Sequence, residues 1–246
     1  MNQNIYAFLL TFLAGFSTLF GFLFLWINPK KQENMIIISL SFAAGVMISI
    51  SITELFPESF MLLKSKYTAV LAILFSLIFA NIGVIVSKFI DHHIESENAL
   101  FKLGIVSMLA IIIHNIPEGI ATFLTTEENA KLGLSLALSI ALHNIPEGIS
   151  IAIPIYYATK SKKNAFWYTF LASLSEPLGA IFAYLFLKSW ITNIFMGNLY
   201  AFIAGIMLHI AFFKLLPEAS SYKTYKKVSI FCMIGFLFMF FIKIYF

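Results

Sequence analysis

The heptapeptide His114-Asn115-Ile116-Pro117-Glu118-Gly119-Ile120 recurs unchanged as His143-Asn144-Ile145-Pro146-Glu147-Gly148-Ile149. Imidazole, carboxamide and carboxylate are all ligands for divalent metal ions, and helical spacing gathers them. His114 and Glu118 are four residues apart and share one helix face, separated by about 6 Å along the axis. Asn115 and Glu118 are three apart and also share a face, so one carboxylate can serve two neighbouring cation positions. The second copy repeats the arrangement on the next helix. Where the two helices meet, two imidazoles, two carboxylates and two amide oxygens converge. Two carboxylates match the charge of a divalent ion, and imidazoles favour Zn²⁺, Fe²⁺ or Mn²⁺ over Ca²⁺ or Mg²⁺. No cysteine stands near enough in sequence to suggest a soft Cu(I) site. Pro117 and Pro146 lack an N–H, which deprives the carbonyls of Ile113 and Leu142 of their helical partner. Such oxygens serve ions or water beside a polar pocket, or accompany a kink used only for packing.

Further residues extend the constellation. Glu176, in Ser173-Leu174-Ser175-Glu176-Pro177, would complete a second cation position with the Asn and Glu pairs. Glu54 is an additional candidate ligand that either joins the cluster or marks its entrance. His209 reads as hydrogen-bonded to a neighbour rather than as a ligand. Asp91-His92-His93-Ile94-Glu95-Ser96-Glu97 reads as a short loop, either a weak metal catch or merely solvated, and Glu127-Glu128 as a charged turn. The 28 phenylalanines are lipid-facing bulk.

The elements that position these groups follow from composition. The chain has 246 residues, 60% hydrophobic and 11% charged, against roughly 25% charged in soluble domains. So little polar surface cannot cover a water-exposed fold, and lipid is the expected solvent. Apolar runs long enough to cross a bilayer lie at 5–27, 35–57, 67–90, 102–124, 131–157, 163–188, 196–216 and 228–246. They are broken at Asn28-Pro29-Lys30-Lys31, Lys64-Ser65-Lys66, Asp91 to Asn98, Thr125 to Asn129, Lys160 to Asn164, Lys188-Ser189 and Ser220 to Lys227. The expectation is an all-α polytopic membrane protein, a single transmembrane domain over 1–246. The first run follows no basic segment and reads as a retained helix, not a cleaved signal. Cys232 stands alone and forms no internal disulfide.

Charge supports the same reading. Every cation is a lysine, scattered over short loops with no arginine for phosphate recognition, so no nucleic-acid partner is expected. Ten lysines fall in loops 1–2, 3–4, 5–6 and 7–8, against five in the other loops and the C-terminus. That bias puts the odd-numbered loops in the cytoplasm and both termini outside, in a plasma (inner) membrane. An ionised side chain at mid-bilayer costs roughly 2.5–3.5 kcal/mol. Glu54, Glu118, Glu147 and Glu176 all fall within spans, and four such costs beside two His and two Asn point to function rather than to a purely structural role.

Two repeats are internal. Besides the heptapeptide, Ala44 to Glu58 (AGVMISISITELFPE) resembles Ala204 to Glu218 (AGIMLHIAFFKLLPE) at a constant offset of 160. With the orientation above, spans 2 and 7 are antiparallel, as are spans 4 and 5. Inverted repeats of this kind are a transporter architecture; a shared capping habit at Leu-x-Pro-Glu is the plainer alternative for spans 2 and 7. Lys214 faces Glu54 in this alignment, and either an ion pair or a regulatory role is open for it.

At these residues the chain resembles the ZIP (Zrt/Irt-like) family of divalent-metal transporters, in particular its bacterial ZupT-type branch. The resemblance covers the whole chain and is carried by the paired HNIPEG segments, by SLSEPLG (Ser173 to Gly179) and, less specifically, by GVMISISITELFPES and AGIMLHIAFFKLLPEA. It implies a ZIP-type bundle with a two-metal centre between spans 4, 5 and 6. His114, Glu118, His143 and Glu147 would hold one ion; Asn115, Glu118, Asn144, Glu147 and Glu176 the other. It also implies import towards the cytoplasm, with spans 4 and 5 moving against a scaffold containing spans 2 and 7. Zn²⁺, with Fe²⁺, Mn²⁺ and Cd²⁺ behind it, would be the transported substrate, and no catalytic cofactor is implied. A homodimer stays open. Lys214, where many relatives carry an acid, departs from the family and puts a metal role for span 7 in doubt; the short loop 3–4 leaves at most a reduced His-rich sensor. Two rival readings are an intramembrane zinc hydrolase, which the order H-x-x-x-E in place of H-E-x-x-H disfavours, and a passive metal-selective channel.

Overall fold

The computed structural model describes residues 2–27, 32–187 and 192–245. Among them are eight helices long and apolar enough to cross a bilayer: α1 (Gln3–Trp26), α2 (Gln32–Lys64), α3 (Ala69–His93), α4 (Ala99–Glu128), α5 (Ala130–Thr159), α6 (Lys162–Phe186), α7 (Asn193–Ser220) and α8 (Tyr225–Tyr245). No strand occurs among the described residues. The expected breaks at Asn28 to Lys31 and Lys188-Ser189 lie outside them, as does residue 246. In hydrocarbon every backbone polar group must be satisfied within the protein, and continuous helices do this without help from water.

The connections are short because single side chains do the capping. Thr68, Asn98, Ser161 and Thr192 each accept a hydrogen bond from a backbone N–H in the first turn that follows. Asn129 alone joins α4 to α5. Its N–H donates to Thr125 O and its side-chain oxygen accepts from Lys131 and Leu132 N–H, so it closes one helix and starts the next. The break expected at Thr125 to Asn129 therefore shrinks to one residue, and Glu127-Glu128 belong to the last turn of α4. Likewise Asp91, His92 and His93 complete α3, and only Ile94 to Asn98 remain as a loop.

The 160-residue repeat is visible in the backbone. Ser51–Leu55 in α2 and Ala211–Leu215 in α7 each form a π-helical turn just before Pro57 and Pro217. Phe56 N–H donates to Ser51 O and Leu216 N–H to Ala211 O, one residue further back than in an α-helix. The wide turns absorb prolines that lack an N–H, so α2 and α7 run on past the expected ends at 57 and 216. In α2 the Thr53 carbonyl receives Lys243 Nζ from α8.

The helices form two groups. In one, α4 packs on α5 and α6, and α1 on α4, α5 and α6; in the other, α2 packs on α8 and α7, and α7 on α3. The groups meet where α2 lies against α5 and α7 against α4. Repeat-related glycines set the closest crossings. Gly45 of α2 lies against the Cys232 carbonyl of α8, and its image Gly205 of α7 lies against the Ala80 carbonyl of α3. A Cβ at either would overlap that oxygen, so backbones approach there as only glycine allows. Gly45→Val and Gly205→Val should each lower the thermal unfolding midpoint of the detergent-purified protein, reflecting a loss of about 1–3 kcal/mol or more. Unchanged midpoints in both would show that these crossings do not limit packing.

Candidate metal centre

Seven of the eight side chains singled out by sequence meet in the first helix group. His114, Asn115 and Glu118 come from α4, His143, Asn144 and Glu147 from α5, and Glu176 from α6; all are buried. The motif glycines bring these helices close. Gly119 lies against the Glu176 carbonyl of α6, and Gly148 against the Thr18 carbonyl of α1, with no room for a Cβ at either.

The imidazoles do not pair with the carboxylate one turn along their own helix. They cross over. His114 Nε2 is 3.0 Å from Glu147 Oε1, and His143 Nε2 is 3.4 Å from Glu118 Oε2. Glu176 accepts from Asn144 Nδ2, which also donates to the Ala14 carbonyl of α1 at 3.0 Å. Four carbonyl or carboxylate contacts thus orient the cluster while leaving much of it unsatisfied. His114 Nδ1, His143 Nδ1, both polar atoms of Asn115, Asn144 Oδ1, Glu147 Oε2 and Glu176 Oε2 are buried without a hydrogen-bond partner. Six of these seven atoms can present a lone pair. Unpartnered buried polar atoms are costly and rare, and a concentration of lone pairs is what a cation satisfies. Among the described residues, no three His, Cys, Asp or Glu side chains are gathered round one point as they stand. Each imidazole is turned onto a carboxylate of the neighbouring helix.

Access is one-sided. A cavity of about 220 Å³ leads from the face that carries both termini to Glu118 and His143, lined also by Glu54, Glu58, Tyr200 and Thr125. Glu54 is thus placed on the approach and not hydrogen-bonded into the cluster; its Oε2 is buried and unpartnered. Towards the opposite face, Met47 of α2 and Ile206, Met207 and Ile210 of α7 pack with Leu103, Ala110, Ile149 and Ile153 of α4 and α5 in one apolar cluster. That packing seals the other side. His209, outside the centre, bonds Ser87 Oγ through Nδ1 at 2.8 Å and stacks on Phe213. The Ala14 carbonyl has no side-chain signature by which sequence could find it. Glu58 stands in the sequence only as the end of Leu-x-Pro-Glu.

Residues 87–243 match the sequence profile of the family described as ZIP Zinc transporter. The chain is 38% identical to the zinc transporter ZupT of Streptococcus mutans, over 90% of each chain. It is 38% identical to that of Clostridium perfringens, covering 90% of this chain and 89% of the relative. It is 41% identical to that of Chlorobium phaeovibrioides, covering 90% and 91%.

The one-sided access is open to a chemical test. With Cys232 replaced by Ser, Thr125→Cys should react readily with a hydrophilic thiol reagent, whereas Ser107→Cys, on the sealed side of α4, should resist it. Equal labelling of the two positions would contradict the apolar seal.

Proposed function

The chain belongs to the ZIP zinc transporter family, and from that premise we propose that it imports Zn²⁺ into the cytoplasm through a two-ion centre between α4, α5 and α6. Divalent metal transport across a membrane is the family's activity, and the eight apolar helices are the body such an activity needs. Membership in a transporter family sets aside the hydrolase reading. We take Fe²⁺, Mn²⁺ and Cd²⁺ as further substrates because the same imidazole and carboxylate set suits them.

The observation that carries this reading is the concentration of buried, unpartnered lone pairs at the foot of a cavity open to one face. His114, Glu118, His143 and Glu147 form one position, and Asn115, Glu118, Asn144, Glu147 and Glu176 the other. All seven side chains come from one chain, which acts as a single transmembrane domain, so the centre needs no second copy. The lysine bias puts the sealed face in the cytoplasm and both termini outside the plasma membrane. The cavity then faces outward, and Glu54 and Glu58 line the way in.

An ion arriving there meets Glu118 and His143 first, because His114 and Glu147 are wholly enclosed. It replaces the His143–Glu118 bond, takes charge from both glutamates, and leaves the imidazoles as neutral nitrogen ligands. Onward passage requires the apolar contacts of α4 and α5 with α2 and α7 to part. The two-group packing suits that movement, since most of the contact lies within each group. A site open to one side and sealed on the other is the arrangement of a carrier rather than of a continuous pore.

Zn²⁺ uptake into proteoliposomes tests the assignment. Glu118→Ala and Glu147→Ala should each abolish uptake, because both positions lose charge and the ion is left undercompensated. Glu176→Gln should retain binding at the His-bearing position while changing affinity or rate; full uptake by Glu118→Ala would remove that residue from the centre.

Acidity supplies a second test. Metal ligands must be deprotonated, so protons compete with the ion. Apparent affinity should be highest above, and fall as pH drops through, the ordinary histidine range near about 6.5. A flat response across that range would argue against imidazole ligation.

A further inference from the structure

The repeat that relates α2 to α7 also relates two cavities. Glu54 and Glu58 of α2 line the outer one, and the residues 160 positions later, Lys214 and Glu218 of α7, line a cavity of about 310 Å³ at the opposite face. Backbone geometry is preserved, since Glu54 and Lys214 each sit in a π-helical turn. Charge is not. The lining of the outer cavity includes three carboxylates, Glu54, Glu58 and Glu118, and no lysine. Lys243 comes near from α8 but donates to the Thr53 carbonyl. In the inner cavity Asp91 and Glu218 are matched by Lys102 and Lys214.

The inner charges are tightly organised. Lys214 Nζ lies 2.5 Å from Asp91 Oδ2, and Lys102 Nζ 3.5 Å from Asp91 Oδ1, with all three side chains partly buried. Asp91 belongs to α3, Lys214 to α7 and Lys102 to α4, so the carboxylate is held from both helix groups. Lys88 lies close by over the Phe213 ring, adding positive charge. A divalent ion needs carboxylate charge free of competing cations. Here a cation that cannot diffuse away already occupies the Asp91 carboxylate.

We propose that Lys214 is a tethered counter-ion that occupies the Asp91 carboxylate and so prevents the inner cavity from retaining a divalent ion, making this face the low-affinity, release side of the transporter. The inference rests on the transport reading above. It assigns Lys214 as a specificity-determining residue for where the ion is held, not as a ligand.

Reversing the charge should convert the cavity into a binding site. Purified Lys214→Glu protein should bind one more Zn²⁺ than wild type, measured as metal per folded protein after size exclusion. It should still bind that ion when Glu118→Ala and Glu147→Ala have emptied the central positions. Adding Asp91→Asn should abolish the gain, and Lys214→Arg should leave stoichiometry and uptake as in wild type. Should Lys214→Glu misfold, Lys214→Gln gives an independent readout: Zn²⁺ inside proteoliposomes should inhibit its uptake at lower concentration than in wild type. No gain of metal by folded Lys214→Glu, a gain that survives Asp91→Asn, or unaltered internal inhibition of Lys214→Gln would each overturn the proposal. A faulty central assignment has a different signature, because the double glutamate variant would then keep its ions.

Discussion

Three carboxylates, Glu118, Glu147 and Glu176, lie buried in a bundle whose outer surface is hydrocarbon, and each has to be matched from within. The match for two of them is an imidazole on the neighbouring helix. That choice fixes how α4 and α5 must lie. The pairs His114–Glu147 and Glu118–His143 share one sequence midpoint, between Ala130 and Lys131 in the first turn of α5, just after the connection at Asn129. Both pairs thus demand one antiparallel register, and the one-residue connection at Asn129 supplies it. A longer loop would leave the register free to slip and two buried charges without partners. Asn129 lies far from the centre in space, yet its double capping role positions the chemistry.

The remaining helices then solve a distance problem. Asn144 reaches both Glu176 of α6 and the Ala14 carbonyl of α1, which requires α1 and α6 to press on α4 and α5. Gly119 and Gly148, the glycines of the two heptapeptides, make that approach possible on opposite sides: one admits α6, the other α1. The same device holds the second group, where Gly45 and Gly205 admit α8 and α3. The inverted repeat is therefore carried by backbone contact as much as by polar side chains. Its glycines occupy equivalent crossings even where, as at Glu54 and Lys214, the charges have diverged.

What the sequence makes legible is chemistry and periodicity. Seven ligand-type side chains, eight spans and two repeats can be read from residue type and spacing, because lipid permits little except continuous helix. Cross-pairing is not legible: His114 and Glu118 share a face, and only the three-dimensional register turns His114 to Glu147 instead. The prolines mislead in a particular way. Pro57 and Pro217 look like helix stops, but a π turn before each absorbs the missing N–H and lets the helix continue. Asp91 reads as a loop residue because it follows the apolar run; its pairing with Lys214 and Lys102 keeps it in the last turn of α3. Main-chain partners such as the Ala14 carbonyl leave no trace in a pattern of side chains.

The contrast between a nearly symmetric centre and asymmetric approaches has a thermodynamic limit. A carrier that couples to no energy source cannot be made one-way by its charges; the gradient sets net direction. What Lys214 can alter is the affinity presented to each face, and linkage requires a compensating term. If the inward-open state binds the ion more weakly, then ion binding must favour the outward-open state by the same factor, and the empty protein must be correspondingly readier to open inward. The closed inner side is consistent with a balance held by few interactions: apolar packing between Met47, Ile206, Met207 and Ile210 and their neighbours on α4 and α5, the Lys160–Gln32 hydrogen bond between the C-cap of α5 and α2, and, among the described residues, one ion pair between the helix groups, Asp91–Lys102. Apolar contacts carry no preference for a loaded over an empty centre. The ion pair does, because a divalent ion passing inward adds positive charge beside two ammonium groups. On the proposed reading, weak retention at the exit and readiness of the empty carrier to turn are then two consequences of one arrangement of charge.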